Sequence, residues 1–279
     1  MRLSAFAARH PVAFALGATI AWLVLLSVLT GAASSALGKP FADPAAATPG
    51  RLIAAACLVL AAWRLGWLRS SGIARLGRGR IWLLALAGLA YSAAAALYSF
   101  HGHPGFDAST LALPAARAIL LTAVAVAVCE ELLFRGIVLH ALGRAWAATR
   151  RGLFRALAFT SLLFAALHLV QTLGGLPLAS GLLLVAQAAI VSFWWGSLVL
   201  SGGSLWPAVM VHAAVNAVVP LQALSTPPPA AGAAAYALLL AFSVPLGILG
   251  VALGAGAPLG ASAPSSSGLQ ATRQDELRT

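Results

Sequence analysis

The sequence predicts an all-α protein, a polytopic membrane helix bundle of about eight transmembrane helices, and two observations carry this prediction. Hydrophobic residues make up 61% of the 279 residues, charged residues only 8%, and the mean hydropathy is +0.94. The hydrophobic residues also fall into eight long runs, and short polar segments separate them. A helix needs about 20 apolar residues to cross a bilayer, so these runs exclude a soluble domain of useful size.

The first run follows a basic segment with Arg2 and Arg9. It is longer than the apolar core of a cleavable signal peptide, so we expect a retained first helix. Cleavage near the sequence Ala-Ala-Ser-Ser-Ala at its end is the alternative. The eight predicted spans are residues 11–37, 51–68, 81–100, 113–146, 153–173, 180–200, 205–224 and 231–253.

Turn residues and charges separate the later spans in order. Pro40 and Pro44 precede the second, the arginine-rich segment 69–80 precedes the third, and the polar sequence HGHPGFDAST precedes the fourth. The fourth span is longer than a bilayer requires, so its last turns should emerge. The sequences SGGS and STPPP end the sixth and seventh spans.

Four regions follow from this division. Residues 1–110 form the first three spans, residues 111–225 the core that holds the motifs described below, and residues 226–255 the last span. Residues 256–279 are rich in Ala, Ser and Gly without an apolar period, which predicts a disordered tail.

Loop charges predict the orientation of the bundle. The net charge of +11 comes from basic residues at helix ends and in short loops, mainly the segments 69–80 and 144–155. This distribution indicates topology signals and anchors to the lipid bilayer, and it predicts no nucleic-acid partner. The positive-inside rule then places both termini in the cytoplasm, in the cell inner (plasma) membrane, and requires an even number of spans. The loop 101–110 falls outside.

The fourth span contains Glu130, Glu131 and Arg135 in an otherwise apolar run. An ionisable residue at the centre of a membrane helix costs roughly 2.5 to 3.5 kcal/mol on insertion scales, so such residues are usually functional. Glu131 and Arg135 are four residues apart and share a helix face, so Arg135 can neutralise Glu131. Glu130 then remains as a free carboxylate suited to act as a general base. A structural ion-pair triad is the alternative.

Three further polar residues lie at comparable depth in other spans. His168 is 15 residues from the predicted cytoplasmic start of the fifth span, about 22 Å, and Glu130 is about 21 Å from Arg144. His212 and Asn216 in the seventh span come to about 10 and 16 Å from the same side. A carboxylate, two imidazoles and an amide could therefore meet inside the membrane.

These residues form three motifs that resemble a known family. The sequence from Glu130 to Arg135 is similar to an EExxxR motif, Phe164 to His168 to an FxxxH motif, and His212 to Asn216 to an HxxxN motif. The ordered set resembles the CPBP family of CAAX proteases and bacteriocin-processing enzymes, and it covers about residues 113–220.

The resemblance implies an intramembrane endopeptidase related to the type II CAAX prenyl endopeptidase. Glu130 would activate water with His168 as its partner, and His212 and Asn216 would stabilise the oxyanion, with Glu131, Arg135 and Phe164 in support. The family has been described both as metal-dependent and as metal-free. Glu130, His168 and His212 could hold Zn²⁺, but no HExxH motif is present, and we favour a site without a metal.

Two other classes of function stay open from the sequence. A proton-coupled transporter also uses buried Glu, His and Arg, although no inverted repeat is visible between the two halves. A catalytically silent immunity or scaffold protein of the same fold is the second. The expected substrate is a membrane-associated peptide or protein, and its sequence is not readable here.

Overall fold

The computed structural model describes residues 3–41, 43–229 and 232–259, and all regular structure in these ranges is helical, as predicted. The helices are α1 (Leu3–Arg9), α2 (Pro11–Leu37), α3 (Pro44–Arg64), α4 (Gly79–His101), α5 (Pro114–Glu131), a π-helix (Leu132–Leu139), α6 (His140–Trp146), α7 (Arg150–Ala166), α8 (Val170–Leu173), α9 (Leu178–Gly202), α10 (Trp206–Gln222) and α11 (Ala233–Gly256). Short 3-10 helices at Ala108–Ala112 and Leu167–Leu169 precede α5 and α8.

Six of the described helical stretches are long and apolar enough to cross a membrane, namely α2, α3, α4, the stretch from α7 through α8, α9 and α11. Side chains such as Ile20, Val24 and Val28 on α2 are more than half exposed, as expected for groups that face lipid. The two other predicted spans depart from this pattern. The fourth carries Arg117 and both glutamates within the 18 residues of α5, and α10 is 17 residues long.

Several boundaries differ from the sequence prediction. A short helix, α1, precedes the first span, and α3 begins at Pro44 rather than near residue 51, with Pro49 inside it. Pro44 at the first position of α3 removes no intrahelical hydrogen bond, and Pro49 removes one without ending the helix. Of the predicted disordered tail, residues 256–259 are described, and the prediction is wrong at Gly256, which is the last residue of α11; residues 260–279 lie outside the described ranges.

The long helices pack in a continuous order. Neighbours in contact follow the sequence α2, α3, α5, α10, α4, α11, α9 and α7, and the π-helix contacts α2, α3, α7 and α9 in the interior. All eight residues of the π-helix are buried. The segment that carries the acidic cluster is therefore the centre of the bundle.

Small residues allow close helix approach around Trp194, a fully buried side chain of α9. A Cβ atom on Gly88 of α4 would lie 2.2 Å from the Trp194 ring, and one on Gly250 of α11 would lie 2.9 Å from the Trp194 Cα. Only glycine fits at these two contacts, as is common between membrane helices.

The two ends of the bundle differ in charge. One end holds the connections 65–78, 147–149 and 203–205, and we call it the arginine end because most of the loop arginines lie there. Hydrogen bonds join its parts, for example from Ser204 Oγ to the Arg75 carbonyl. The opposite end holds the connections 102–113, 174–177 and 223–232, where Asp107 N donates to Gln222 Oε1.

Candidate active site

Glu130 and Glu131 are the last two residues of α5, and the helix continues directly as the π-helix. A π-helix is wider than an α-helix, and short π segments occur frequently at functional sites. Arg135 lies within this segment, so the wider turn determines where its guanidinium reaches.

Glu131 and Arg135 form the ion pair that their spacing predicts. Arg135 Nη1 donates to Glu131 Oε1 at 2.9 Å, and both side chains are fully buried. The other terminal nitrogen, Nη2, donates to the carbonyl and the hydroxyl oxygen of Ser192 on α9, at 3.1 and 2.8 Å. Arg135 therefore joins the acidic cluster to α9.

His212 lies between the two glutamates. Its Nδ1 is 2.9 Å from Glu131 Oε1, and its Nε2 is 3.7 Å from Glu130 Oε2. Glu131 Oε1 already accepts from Arg135, and as a carboxylate oxygen it accepts from His212 as well, so Nδ1 carries the proton. The sequence indicated neither contact: it paired Glu131 with Arg135 alone.

Two aromatic side chains enclose this layer. The His212 ring stacks on Trp195 of α9, with centroids 4.4 Å apart and an interplanar angle of 22°. The Arg135 guanidinium carbon lies 4.9 Å from the Phe164 ring centroid and 5.4 Å from that of Trp195, within cation–π range. These contacts hold the imidazole and the guanidinium in place.

His168 follows α7 on the 3-10 turn and completes the group of titratable residues. Its Nδ1 is 3.3 Å from the Phe164 carbonyl oxygen, which can only accept, so Nδ1 carries a proton and Nε2 is left for other partners. Glu130 and His212 are the ionisable side chains that interact electrostatically with His168. His168 therefore lies in the neighbourhood of Glu130 and His212, and within the described part of the chain it forms no hydrogen bond or ion pair with either.

A cavity of about 540 Å³, which we call the histidine cavity, adjoins this group. His168, His212, Asn216 and Trp195 are among its lining residues. Glu130 is not part of the lining, but its side chain is 23% exposed and contacts His212 on the cavity wall. The volume is typical of a ligand site.

Sequence reasoning missed two residues of this site, Ser192 and Trp195. Both lie on α9, three residues apart, in an apolar run that also contains Trp194 and other serines. Placing a hydroxyl or an indole inside a membrane helix costs little free energy, so neither side chain stands out in the sequence as an ionisable one does. Their spacing on one helix face next to the FxxxH span is the only signal that could have suggested them.

The residues that the resemblance implies as zinc ligands do not form a metal site. Within residues 3–41, 43–229 and 232–259, no three His, Cys, Asp or Glu side chains lie close enough to share a metal ion. The Nδ1 of His212 is also committed to Glu131. No chemical step below depends on a metal.

The arrangement offers a carboxylate, two imidazoles and an amide at or beside the histidine cavity, and these are groups that hydrolysis of an amide requires. Residues 112–218 match the family model described as type II CAAX prenyl endopeptidase Rce1-like. The match confirms the family resemblance that the three motifs predict. No curated protein and no solved structure matches the chain significantly.

Proposed function

We propose, from the match of residues 112–218 to the type II CAAX prenyl endopeptidase Rce1-like family, that this multi-pass membrane protein is an intramembrane endopeptidase. Its substrate would be a membrane-associated protein or peptide. The single observation that carries the proposal is the position of His212, which contacts both Glu130 and Glu131 on the wall of a cavity that also holds His168 and Asn216.

The reaction starts with Glu130 as general base. Glu130 takes a proton from water, which His168 Nε2 orients, and the resulting hydroxide attacks the carbonyl carbon of the scissile peptide bond. The oxyanion that forms accepts hydrogen bonds from His212 and Asn216. Glu130 then gives its proton to the leaving amine, so the carboxylate is restored and water has been added across the bond.

His212 donates to the oxyanion from Nε2, because Nδ1 is bound to Glu131. This requires both ring nitrogens to carry protons. With His212 and Arg135 positive and both glutamates negative, the four groups carry no net charge, which a site in the membrane interior favours. The Glu131 carboxylate thereby supports the charge of His212, and Arg135 holds that carboxylate in place.

The histidine cavity lies towards the end of the bundle opposite the arginine end. Its lining includes Phe100 near the end of α4, Gln171 of α8, and Pro228 after α10. If both termini are cytoplasmic, as positive-inside counting predicts, this end faces away from the cytoplasm. The proposed substrate would then reach the site from the outer side of the plasma membrane.

Cysteine labelling tests this orientation. In a Cys57→Ala background, we expect Gln171→Cys to react with a membrane-impermeant maleimide in intact cells, because this exposed position lines the histidine cavity. Leu76→Cys, which is 74% exposed at the arginine end, should react only after permeabilisation. The opposite labelling pattern would invert the topology and place the cavity on the cytoplasmic side.

We also propose that catalysis requires no metal. Purified protein should keep nearly full activity after long incubation with a strong chelator, and elemental analysis should find far less than one equivalent of zinc. A metal-dependent site would lose its activated water with the ion. Stoichiometric zinc that disappears in a His168→Ala, His212→Ala double variant would overturn the proposal and make these histidines ligands.

The experiment that tests the protease assignment is a comparison of membrane proteomes from cells with and without the protein. We expect at least one membrane-associated protein or peptide to lose a terminal segment only when the active protein is present. Reconstitution of that cleavage with purified components then provides the assay for the variants below. Absence of any changed terminus, with the protein expressed and folded, would favour a silent or transport role.

A further inference from the structure

A second cavity, of about 550 Å³, lies at the arginine end of the bundle, and we call it the arginine cavity. Its wall is formed by the loop after α3, by the junction of the π-helix and α6, and by the end of α9. Arg135 is the residue that relates it to the active site: the guanidinium reaches Glu131 and Ser192, and the same side chain lines the arginine cavity. The peptide-bond hydrolysis proposed above takes place at the histidine cavity and does not use the arginine cavity.

The charge on its wall is positive. Arg75 and Arg78 line the cavity and are exposed, and within the described ranges neither forms an ion pair with an acidic side chain. No Asp or Glu is among the lining residues. The end of α9 contributes roughly half a negative charge from its last carbonyl groups, which is less than the two guanidinium charges.

Two buried hydrogen-bond donors on the wall have no partner in the described chain. They are the hydroxyl of Ser71, which is 4% exposed, and Nε of Arg135, which is 1% exposed. Leaving a buried donor unsatisfied is unfavourable, so such atoms usually have a water or a ligand as a partner. Both residues line the arginine cavity, and an acceptor there would satisfy them.

The loop that carries Arg75 and Arg78 presents few acceptors to the cavity, because its carbonyl oxygens are engaged elsewhere. Ile73 O accepts from Trp206 Nε1 at 2.9 Å, Arg75 O from Ser204 Oγ at 2.6 Å, and Leu76 O from Trp82 Nε1 at 2.7 Å. These bonds attach the loop to the start of α10 and to α4.

Close packing also fixes the loop. Gly72 and Gly77 have φ of 83° and 81°, a conformation that favours glycine. A Cβ atom on Gly72 would lie 2.9 Å from the Ser204 Cα, and one on Gly77 would lie 2.7 Å from the Ser204 Cβ. The two arginines are therefore carried on a loop whose backbone has a defined shape.

We propose that the arginine cavity binds a phosphate group through Arg75, Arg78 and Ser71, with Arg135 Nε as a further donor. Guanidinium groups match the geometry of phosphate oxygens, and donors without competing acceptors suit an anion. The cavity lies where the helix ends leave the bilayer, so the phosphate can come from an anionic lipid headgroup or from free phosphate. The proposal does not depend on peptidase activity.

Thermal unfolding of the full chain, purified in a maltoside detergent and in phosphate-free buffer, tests this proposal. The probes are inorganic phosphate and dihexanoyl phosphatidylglycerol, each titrated to saturation, with tryptophan fluorescence as the readout. We expect a saturable rise of the unfolding midpoint. Saturation by both probes assigns the site to the phosphate group in either source, and saturation by the lipid alone assigns it to a headgroup.

Arg75→Gln combined with Arg78→Gln should weaken binding at least about tenfold, because charged hydrogen bonds are lost. The matched control is Arg80→Gln with Arg151→Gln, which removes the same charge from two exposed arginines that do not line the cavity. The control should bind like the wild type. Ser71→Ala should weaken binding by a smaller factor while leaving both loop arginines in place.

Three results would overturn the proposal. They are the absence of a saturable shift with either probe, equal losses in the control and in the Arg75, Arg78 variant, and wild-type affinity in that variant. Equal losses would mean that the probes respond to surface charge in general. If the Arg75, Arg78 variant does not fold, the test rests on Ser71→Ala. Wild-type affinity for the phosphate probes in Ser71→Ala then overturns the proposal.

Discussion

Glu130→Gln is expected to reduce cleavage by about 100- to 10,000-fold, the usual contribution of a general base, while leaving the protein folded. Among the described residues, the carboxylate contacts one ionisable side chain within 4 Å, His212 at 3.7 Å, so its loss changes the chemistry more than the packing. His168→Ala should have an effect of similar size. The measurement is the rate of cleavage of the substrate identified by proteomics, with purified protein in detergent.

The control is His103→Ala, an exposed loop histidine that should leave the rate unchanged. Size-exclusion profiles and unfolding midpoints of all variants establish that they are folded. A Glu130→Gln protein with wild-type activity would rule out Glu130 as the base. Glu131 would then be the remaining candidate for the general base, although its carboxylate is buried and already accepts hydrogen bonds from Arg135 and His212.

Arg135→Ala should lower the free energy of unfolding by about 3 to 5 kcal/mol, because it leaves Glu131 as a buried charge without its partner. The loss is not confined to the ion pair. Arg135 also donates two hydrogen bonds to Ser192 and lies over Phe164 and Trp195, so α9 loses its polar contact with the π-helix. The measurement is the shift of the unfolding midpoint in detergent.

Glu130→Ala provides the comparison and should change stability far less, since its side chain is 23% exposed and is not part of the ion pair. A Glu131→Ala, Arg135→Ala double variant should be more stable than Arg135→Ala alone, because no unpaired carboxylate remains. Greater loss of stability in Glu130→Ala than in Arg135→Ala would mean that Arg135 serves Glu130.

Glu131 contributes both to the stability of the fold and to the proposed chemistry of the site. Its Oε1 accepts hydrogen bonds from Arg135 and from His212, so removing either partner changes the electrostatic environment of the other. A variant such as Arg135→Ala is therefore expected to lose activity as well as stability. Only variants of Glu130 and His168 separate the two effects.

The fold class could be predicted from the sequence because the bilayer requires long apolar helices, and six of the described helical stretches are long and apolar enough to cross it. The location of the site could also be predicted in part. Glu130, Glu131 and Arg135 stand out because an ionisable side chain in an apolar span raises the free energy of membrane insertion. The i, i+4 spacing alone indicates the Glu131–Arg135 ion pair, and the structure contains it. Depth along the helices indicated that His168, His212 and Glu130 could meet.

The remaining contacts of the site depend on which helices pack side by side. Helix periodicity tells which residues share a face, but it does not tell which helix lies against that face. The contact of His212 with Glu131, and the roles of Ser192 and Trp195, depend on α9 and α10 lying beside the π-helix segment. Ser192 and Trp195 carry no charge, so nothing in their own span marks them. The change from α- to π-helix after Glu131 is likewise a choice between similar hydrogen-bond patterns, which the packing of four neighbouring helices determines.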